Sequence, residues 1–194
     1  MKLLHIDSSA LGNHSVSRQL TADIVAELKR ATPGVSVTYH DLAAQPLPHW
    51  SPVTDANSAG GTLGNKVLEE FLAADIVVLG APMYNFTISS NLKAWLDRIL
   101  VAGKTFRYTE HGPEGLAGGK RVIVASSRGG IYRQDSPAAV MDFQEPYLRA
   151  AFNFIGIQNL EIVRAEGMAM GDQARTTALQ SAHSHIDTLV ARAA

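Results

Sequence analysis

Residues 76–93, IVVLGAPMYNFTISSNLK, decide the fold. Ile76-Val77-Val78-Leu79 is a short run that is apolar at every position, the pattern of a strand buried on both faces of a parallel sheet. Pro82 has no N–H to give to a ladder, so the chain leaves the sheet there. A helix then opens behind a Thr87 or Ser89 cap, with Leu92, Trp95, Leu96, Ile99 and Leu100 spaced to face a core. Between the two, Met83-Tyr84-Asn85-Phe86-Thr87 carries an amide, two aromatic rings and a thioether to the strand's carboxyl end. That set suits a flat, polar-edged ring better than a sugar or a peptide.

The same alternation runs outward in both directions. Leu3-Leu4-His5-Ile6 reads as a first strand. Residues 17–30 place Leu20, Ile24, Val25 and Leu28 at helical spacing and stop near Pro33-Gly34; residues 35–40 alternate as a second strand. A Pro-rich connection over 43–52 and a looser Gly/Ser/Asn segment to residue 64 precede a short helix over 66–72. Residues 76–80 form the third strand and residues 89–101 the helix behind it. Residues 122–125 and 160–163 supply the fourth and fifth strands, with helices around 138–152 and 173–192. Strand–helix alternation predicts one α/β domain over residues 1–194, built on a parallel sheet with right-handed crossovers. The insert at 104–119 reads as a small hairpin or a lid.

The chain has 194 residues, 46% hydrophobic and 18% charged, which is enough for a full core. A net charge of -1 supplies no field for nucleic acid or an anionic membrane, and the absence of cysteine excludes disulfide, thiolate-metal and Cys-nucleophile chemistry. No apolar run approaches a membrane span and Met1-Lys2 leads directly into a strand pattern, so a cytoplasmic protein without a signal peptide is expected. The seven histidines form no metal constellation: His183 and His185 are two apart on a helix and point different ways. No G-x-S-x-G elbow supports a Ser-His-Asp assignment.

Three loops fall at strand carboxyl ends, where open α/β sheets bind ligands. The first, from Asp7-Ser8-Ser9 to Ser15-Val16-Ser17-Arg18, opens a helix. Its unpaired N–H groups and dipole favour a phosphate, with the hydroxyls of Ser9, Ser15 and Ser17 as further donors; equally, these serines do no more than cap the helix. It lacks G-x-G-x-x-G, which argues against a dinucleotide Rossmann site. The second loop runs over residues 82–87. The third, Ser126-Ser127-Arg128-Gly129-Gly130-Ile131-Tyr132, has two glycines that let backbone approach a ligand and present N–H groups. Gly60-Gly61-Thr62-Leu63-Gly64-Asn65-Lys66 and Gly118-Gly119-Lys120 lack P-loop spacing and read as turns.

Taken together, PMYNF with ISSNLK, TFRYTEHGPEGL and SRGGIY make the chain resemble, over essentially its whole length, the FMN-dependent NADH azoreductases, flavodoxin-fold relatives of the quinone reductases. The resemblance implies a flavodoxin-like five-stranded parallel sheet of order 2-1-3-4-5 with helices on both faces, and tightly but non-covalently bound FMN with NADH as co-substrate. By the same resemblance Ser9, Ser15, Val16 and Ser17 hold the FMN phosphate, while Pro82, Met83, Tyr84, Asn85, Phe86, Ser127, Arg128, Gly129, Gly130 and Tyr132 line the ring. Position 132 is Tyr where some relatives carry His. A homodimer with sites formed between subunits is also implied.

On that reading Asn85 and Tyr132 are the catalytic candidates. The Asn85 and Phe86 amides would serve the flavin N5/O4 edge, and those of Gly129 and Gly130 the N1/O2 edge, where negative charge gathers on reduction. Arg128 is read as a distant positive field, a solvated residue or a salt-bridge partner. Phe106, Tyr108 and Phe154 are candidate walls for a small aromatic acceptor, against core or dimer packing; Trp50 and Trp95 are read as structural. One site serving NADH and then a quinone or azo compound implies ping-pong turnover. The competing reading is a flavodoxin-type electron carrier without its own small-molecule acceptor.

Overall fold

The computed structural model of the chain describes residues 1–52 and 58–191, without the side chains of the last two. Its elements in chain order are β1 (Lys2–Asp7), α1 (Val16–Ala31), β2 (Ser36–Asp41), α2 (Ala59–Ala73), β3 (Ile76–Pro82) and α3 (Ser90–Ile99). A hairpin of β4 (Phe106–Thr109) and β5 (Gly112–Gly115) follows, then β6 (Arg121–Ser127), α4 (Glu145–Phe154), β7 (Leu160–Ala165) and α5 (Asp172–Ala191). The apolar run of β3 is buried at all positions and sits mid-sheet, as its composition requires.

The main sheet is parallel, in the order β2-β1-β3-β6-β7. With the hairpin outside it, this is the expected 2-1-3-4-5 order. Two apolar clusters cover its faces: Val67, Phe71, Leu92, Trp95, Leu148 and Phe152 bring α2, α3 and α4 to one side. Leu20, Ile24, Leu28, Ala182 and Ile186 bring α1 and α5 to the other. Trp95 is buried edge-on against Phe71, whereas Trp50 is 57% exposed, so the structural reading fails for Trp50.

Two further expectations are corrected. The glycines at 60, 61 and 64 lie inside α2 and not in a turn. The Ser58 hydroxyl accepts the Gly61 N–H at 3.1 Å, and burial of Val67, Leu68 and Phe71 outweighs the poor helix propensity of glycine. Residues 53–57 of the expected loose segment lie outside the described residues. The helix expected around 138–152 is a 3-10 turn (Ala139–Met141) followed by α4. Asp142 starts the new helix by accepting the N–H groups of Gln144 and Glu145 at 3.0 and 3.1 Å, and Pro146 sits in its first turn.

Register fixes the geography of the site. Pro82 lies beside Ser127, and Ser127 beside Ala165, so the loops after β3, β6 and β7 leave one edge together with the loop after β1. The hairpin follows the end of α3 and precedes β6, and α4 ends where β7 begins. Both therefore belong to the opposite, amino-terminal edge. Among the described residues no helix is long and apolar enough to cross a membrane.

Candidate functional site

The loop after β1 is built around a serine cap. Ser15 Oγ accepts the Arg18 N–H at 3.3 Å and lies 3.1 Å from Ser17 Oγ, so the capping reading holds for Ser15. The cap does not consume the helix end, because the first-turn amides of an α-helix have no intrahelical acceptor. Ser9 Oγ lies 3.0 Å from the Tyr84 hydroxyl, which also accepts the Ala10 N–H at 3.1 Å. Tyr84 thereby ties the first loop to the second.

Arg18 holds the same loop from behind. Its Nη2 donates to the Ser9 carbonyl at 2.8 Å, and both terminal nitrogens meet Asp41 carboxylate oxygens at 2.6 Å. Those hydrogen bonds outweigh burial and, with the Ala44 and Ala43 N–H groups, hold the Asp41 carboxyl down at about 2. Beside it, burial and then the Asp7 charge push the Tyr39 phenol up to about 12. A carboxyl depressed from 3.8 to about 2 contributes stability above pH 4 that is lost as pH falls toward 2. Asp41→Asn should therefore cost about 1 kcal/mol at pH 6, after solvent screening, and close to nothing at pH 2. Urea unfolding at the two pH values measures it, and an equal deficit at both would refute the ion-pair origin.

In the second loop Tyr84 N–H donates to the Thr87 carbonyl at 2.9 Å and Thr87 N–H to the Tyr84 carbonyl at 3.1 Å, closing a two-residue turn. Asn85 and Phe86 at its tip have φ of 47° and 73°. Two successive positive φ values are the type I′ geometry, tolerable for Asn and strained for Phe. Among the described residues neither amide has an acceptor, so both donors are aimed outward. Ser89, not Thr87, caps α3, accepting the Leu92 N–H at 3.2 Å.

In the third loop Met83 N–H donates to the Ser127 carbonyl at 2.8 Å. Arg128 turns its guanidinium inward: the side chain is fully buried, with Glu145 at 2.6 Å, Asp142 at 3.0 Å and Glu166 at 3.1 Å. The salt-bridge reading is the correct one for this residue. The Tyr132 ring packs over Gly130, where an added Cβ would meet it at 3.2 Å, and stands edge-on to Phe86 with centroids 6.3 Å apart.

A cleft of about 230 Å³ opens where these loops meet. Ser9, Ser15, Val16, Pro82, Met83, Tyr84, Ser127, Arg128 and Gly129 line it. Asn85 faces a neighbouring recess with Lys93 and Tyr147, and Tyr132 a third with Arg133 and Arg164. Ser17 is buried behind the cleft. Phe106 packs in the core at 4.6 Å from Phe154 and 5.5 Å from Tyr108, on the far edge of the sheet. Within one chain these three rings do not reach the cleft.

Leu11, His14, Met168, Ala169 and Arg175 also line it and were missed. The last three come from the loop after β7 and the start of α5, a fourth strand-end loop whose glycines, Gly167 and Gly171, were the available signal. Arg175 has no ion-pair partner among the described residues, which leaves one cation at the cleft. Hydroxyls, helix-start amides and this cation line the cleft together with the apolar Pro82 and Met83, a set that fits a phosphate joined to a flat polar-edged ring.

Comparison with known proteins agrees with that fit. The family described as "Flavodoxin-like fold" matches residues 1–190. An FMN-dependent NADH:quinone oxidoreductase of Methylocella silvestris is 58% identical, with 94% of this chain and 95% of that protein covered. One from Stenotrophomonas maltophilia is 57% identical over 94% and 92%. Among solved structures, an FMN-dependent NADH-azoreductase from Bacillus anthracis in complex with FMN superposes with a TM-score of 0.88 at 28% identity, covering 99% of both chains. The chain belongs to the flavodoxin-like-fold family, among the FMN-dependent NADH:quinone oxidoreductases and azoreductases.

Proposed function

We propose that this chain is an FMN-dependent NADH:quinone oxidoreductase and azoreductase, taking a hydride from NADH and passing it to a quinone or aromatic azo compound at the same site. The observation that carries this reading is the convergence of Ser9, Ser15 and Val16, of Pro82, Met83 and Tyr84, and of Ser127, Arg128 and Gly129 on one cleft. At the adjoining turn the amides of Asn85 and Phe86 have no acceptor among the described residues. FMN, when bound, supplies a ring that accepts and returns a hydride. The chain's own share is placement. Ser9, Ser15 and the Val16 and Ser17 amides would hold the phosphate; Pro82, Met83 and Tyr84 would form the floor. The Asn85, Phe86, Gly129 and Gly130 amides would donate where charge develops, with Asn85 and Tyr132 nearest the reacting edge. NADH and acceptor would occupy the open face in turn, giving ping-pong kinetics.

We further infer a cytoplasmic homodimer with the sites between subunits. What supports it is the position of the aromatic walls. Tyr108 is 74% exposed on the edge away from the cleft, Val140 is exposed, and Phe143 is exposed beside Phe86, whose carbonyl accepts the Phe143 N–H at 3.0 Å. A second chain could cover this apolar rim and bring Tyr108 and Phe154 to it, with Phe106 packed behind them in the core.

The test is anaerobic mixing of FMN-loaded protein with NADH, followed by the flavin's visible absorbance. Bleaching is the expected result; tight FMN binding without bleaching would instead fit an electron carrier. Riboflavin should bind at least about tenfold more weakly than FMN, since losing even one charged hydrogen bond costs roughly 1.5 kcal/mol. Equal affinities would remove Ser9, Ser15 and Ser17 from the phosphate site.

A further inference from the structure

Glycine pairs are floppy, yet the loop at residues 128–130 has almost no freedom left. Arg128 N–H donates to the Ala165 carbonyl at 2.9 Å. The carbonyls of Arg128, Gly129 and Gly130 accept the N–H groups of Met168, Ala169 and Gly167 at 3.0, 3.0 and 2.9 Å. Each peptide is planar and trans, so the N–H following each of those carbonyls points the opposite way. The Gly129, Gly130 and Ile131 amides are therefore turned away from the segment at 165–169, and none has an acceptor among the described residues.

One side chain ends this arrangement. Glu166 Oε1 accepts both the Tyr132 N–H at 2.8 Å and Arg128 Nη1 at 3.1 Å. The same carboxylate thus fixes the end of the loop and joins its beginning. Around it the charges do not cancel. Asp142, Glu145 and Glu166 surround Arg128, and among the described residues the one further cation paired with them is Arg164, on Glu145 at 2.6 Å. Two positive groups face three negative ones in the ion-pair cluster, and Glu166 joins that cluster to the loop that carries the free amides.

We propose that Glu166 is a positioning residue that, through Arg128 and the Tyr132 amide, holds the Gly129 and Gly130 donors in place and sets the reduction potential of the bound flavin. The proposal rests on the flavin reading of the cleft. The excess negative charge opposes accumulation of charge on the reduced ring, so the native carboxylate keeps the potential lower than a neutral group would.

Glu166→Gln and Glu166→Ala separate the two roles. Glutamine keeps an oxygen for the Tyr132 N–H and removes the charge. Oxidised FMN should then bind within about threefold of the native protein, while reduced FMN binds about tenfold tighter relative to oxidised. That ratio is a shift of about 30 mV to more positive potential for a two-electron couple. Alanine removes the acceptor as well, and FMN affinity should fall at least about tenfold in both oxidation states. Affinities come from fluorescence titration and potentials from dye-coupled reduction, with apoprotein thermal unfolding alongside. An unchanged potential in Glu166→Gln would overturn the proposal, as would a Glu166→Gln that behaves like Glu166→Ala. Failure of the native protein to bind FMN would overturn the flavin reading beneath it.

Discussion

Arg128→Met is expected to lower stability at neutral pH by about 3–5 kcal/mol, the cost of removing one partner from a buried charge cluster. Methionine nearly fills the space, so the loss is electrostatic. Asp142 and Glu166 would lose their ion-pair partner, and Glu145 would keep Arg164 alone. In the native protein burial pushes the Glu145 carboxyl up, but the Arg164 hydrogen bonds and the charges of Arg128 and Arg164 outweigh it and hold the group below its ordinary 4.5. A depressed carboxyl contributes stability above that ordinary value and loses it as pH falls through the lower folded one. Without Arg128 one of the charges that hold the Glu145 carboxyl down is gone, while the Arg164 hydrogen bonds remain, so the folded value rises. The deficit of the variant is therefore largest at high pH and shrinks as pH falls through the carboxylate range. Urea unfolding at pH 7.5 and pH 4 should show the gap between the two proteins narrowing on acidification. A gap that stays constant would assign the loss to packing.

Arg128 also marks the limit of what the sequence could show. The sheet was legible because β3 is apolar at every position and the strand–helix alternation is regular; each buried stripe then follows from period. The three strand-end loops were legible as neighbours because parallel topology puts them on one edge whatever their details. What escaped reading depends on contacts distant in sequence. Arg128 pairs with Asp142, Glu145 and Glu166, all 14 to 38 positions away, and no local pattern distinguishes that arginine from a solvated one. The glycines of α2 mislead for a related reason, since Ser58 and the buried Val67 and Phe71 decide the conformation there, not propensity. The fourth loop, with Met168, Ala169 and Arg175, carries no motif and enters the cleft because β7 lies beside β6. Phe106, Tyr108 and Phe154 were read as walls for a flat acceptor or as core or dimer packing, and Phe106 falls in the core. Only the topology places them on the edge opposite the cleft.

That opposite edge is held by two glycines, and Gly115→Ala is expected to cost about 3 kcal/mol or more. A Cβ on Gly115 would fall 2.1 Å from the Gly156 nitrogen and 2.3 Å from the Ile155 carbonyl carbon. These are backbone atoms, so no rotamer can yield, and Gly156 is itself at φ 96°, where few other residues can follow the movement. The hairpin must lift from the end of α4, straining the Ala117 N–H bond to the Ile155 carbonyl at 2.9 Å and the contact between Phe106 and Phe154. For a chain of this size a loss of 3 kcal/mol lowers Tm by roughly 6–12 °C. Gly119→Ala is the control: Gly119 has φ 81° with open space around its Cβ position, so only the left-handed strain of about 1–2 kcal/mol applies. Because the cleft lies on the other edge, Gly115→Ala should leave FMN affinity within about twofold of the native protein. If the hairpin of one chain serves the site of another, turnover of a bulky azo acceptor should fall far more than FMN binding. Loss of both together would place the hairpin's influence within its own chain; loss of neither, with the predicted drop in Tm, would make its aromatic rings structural.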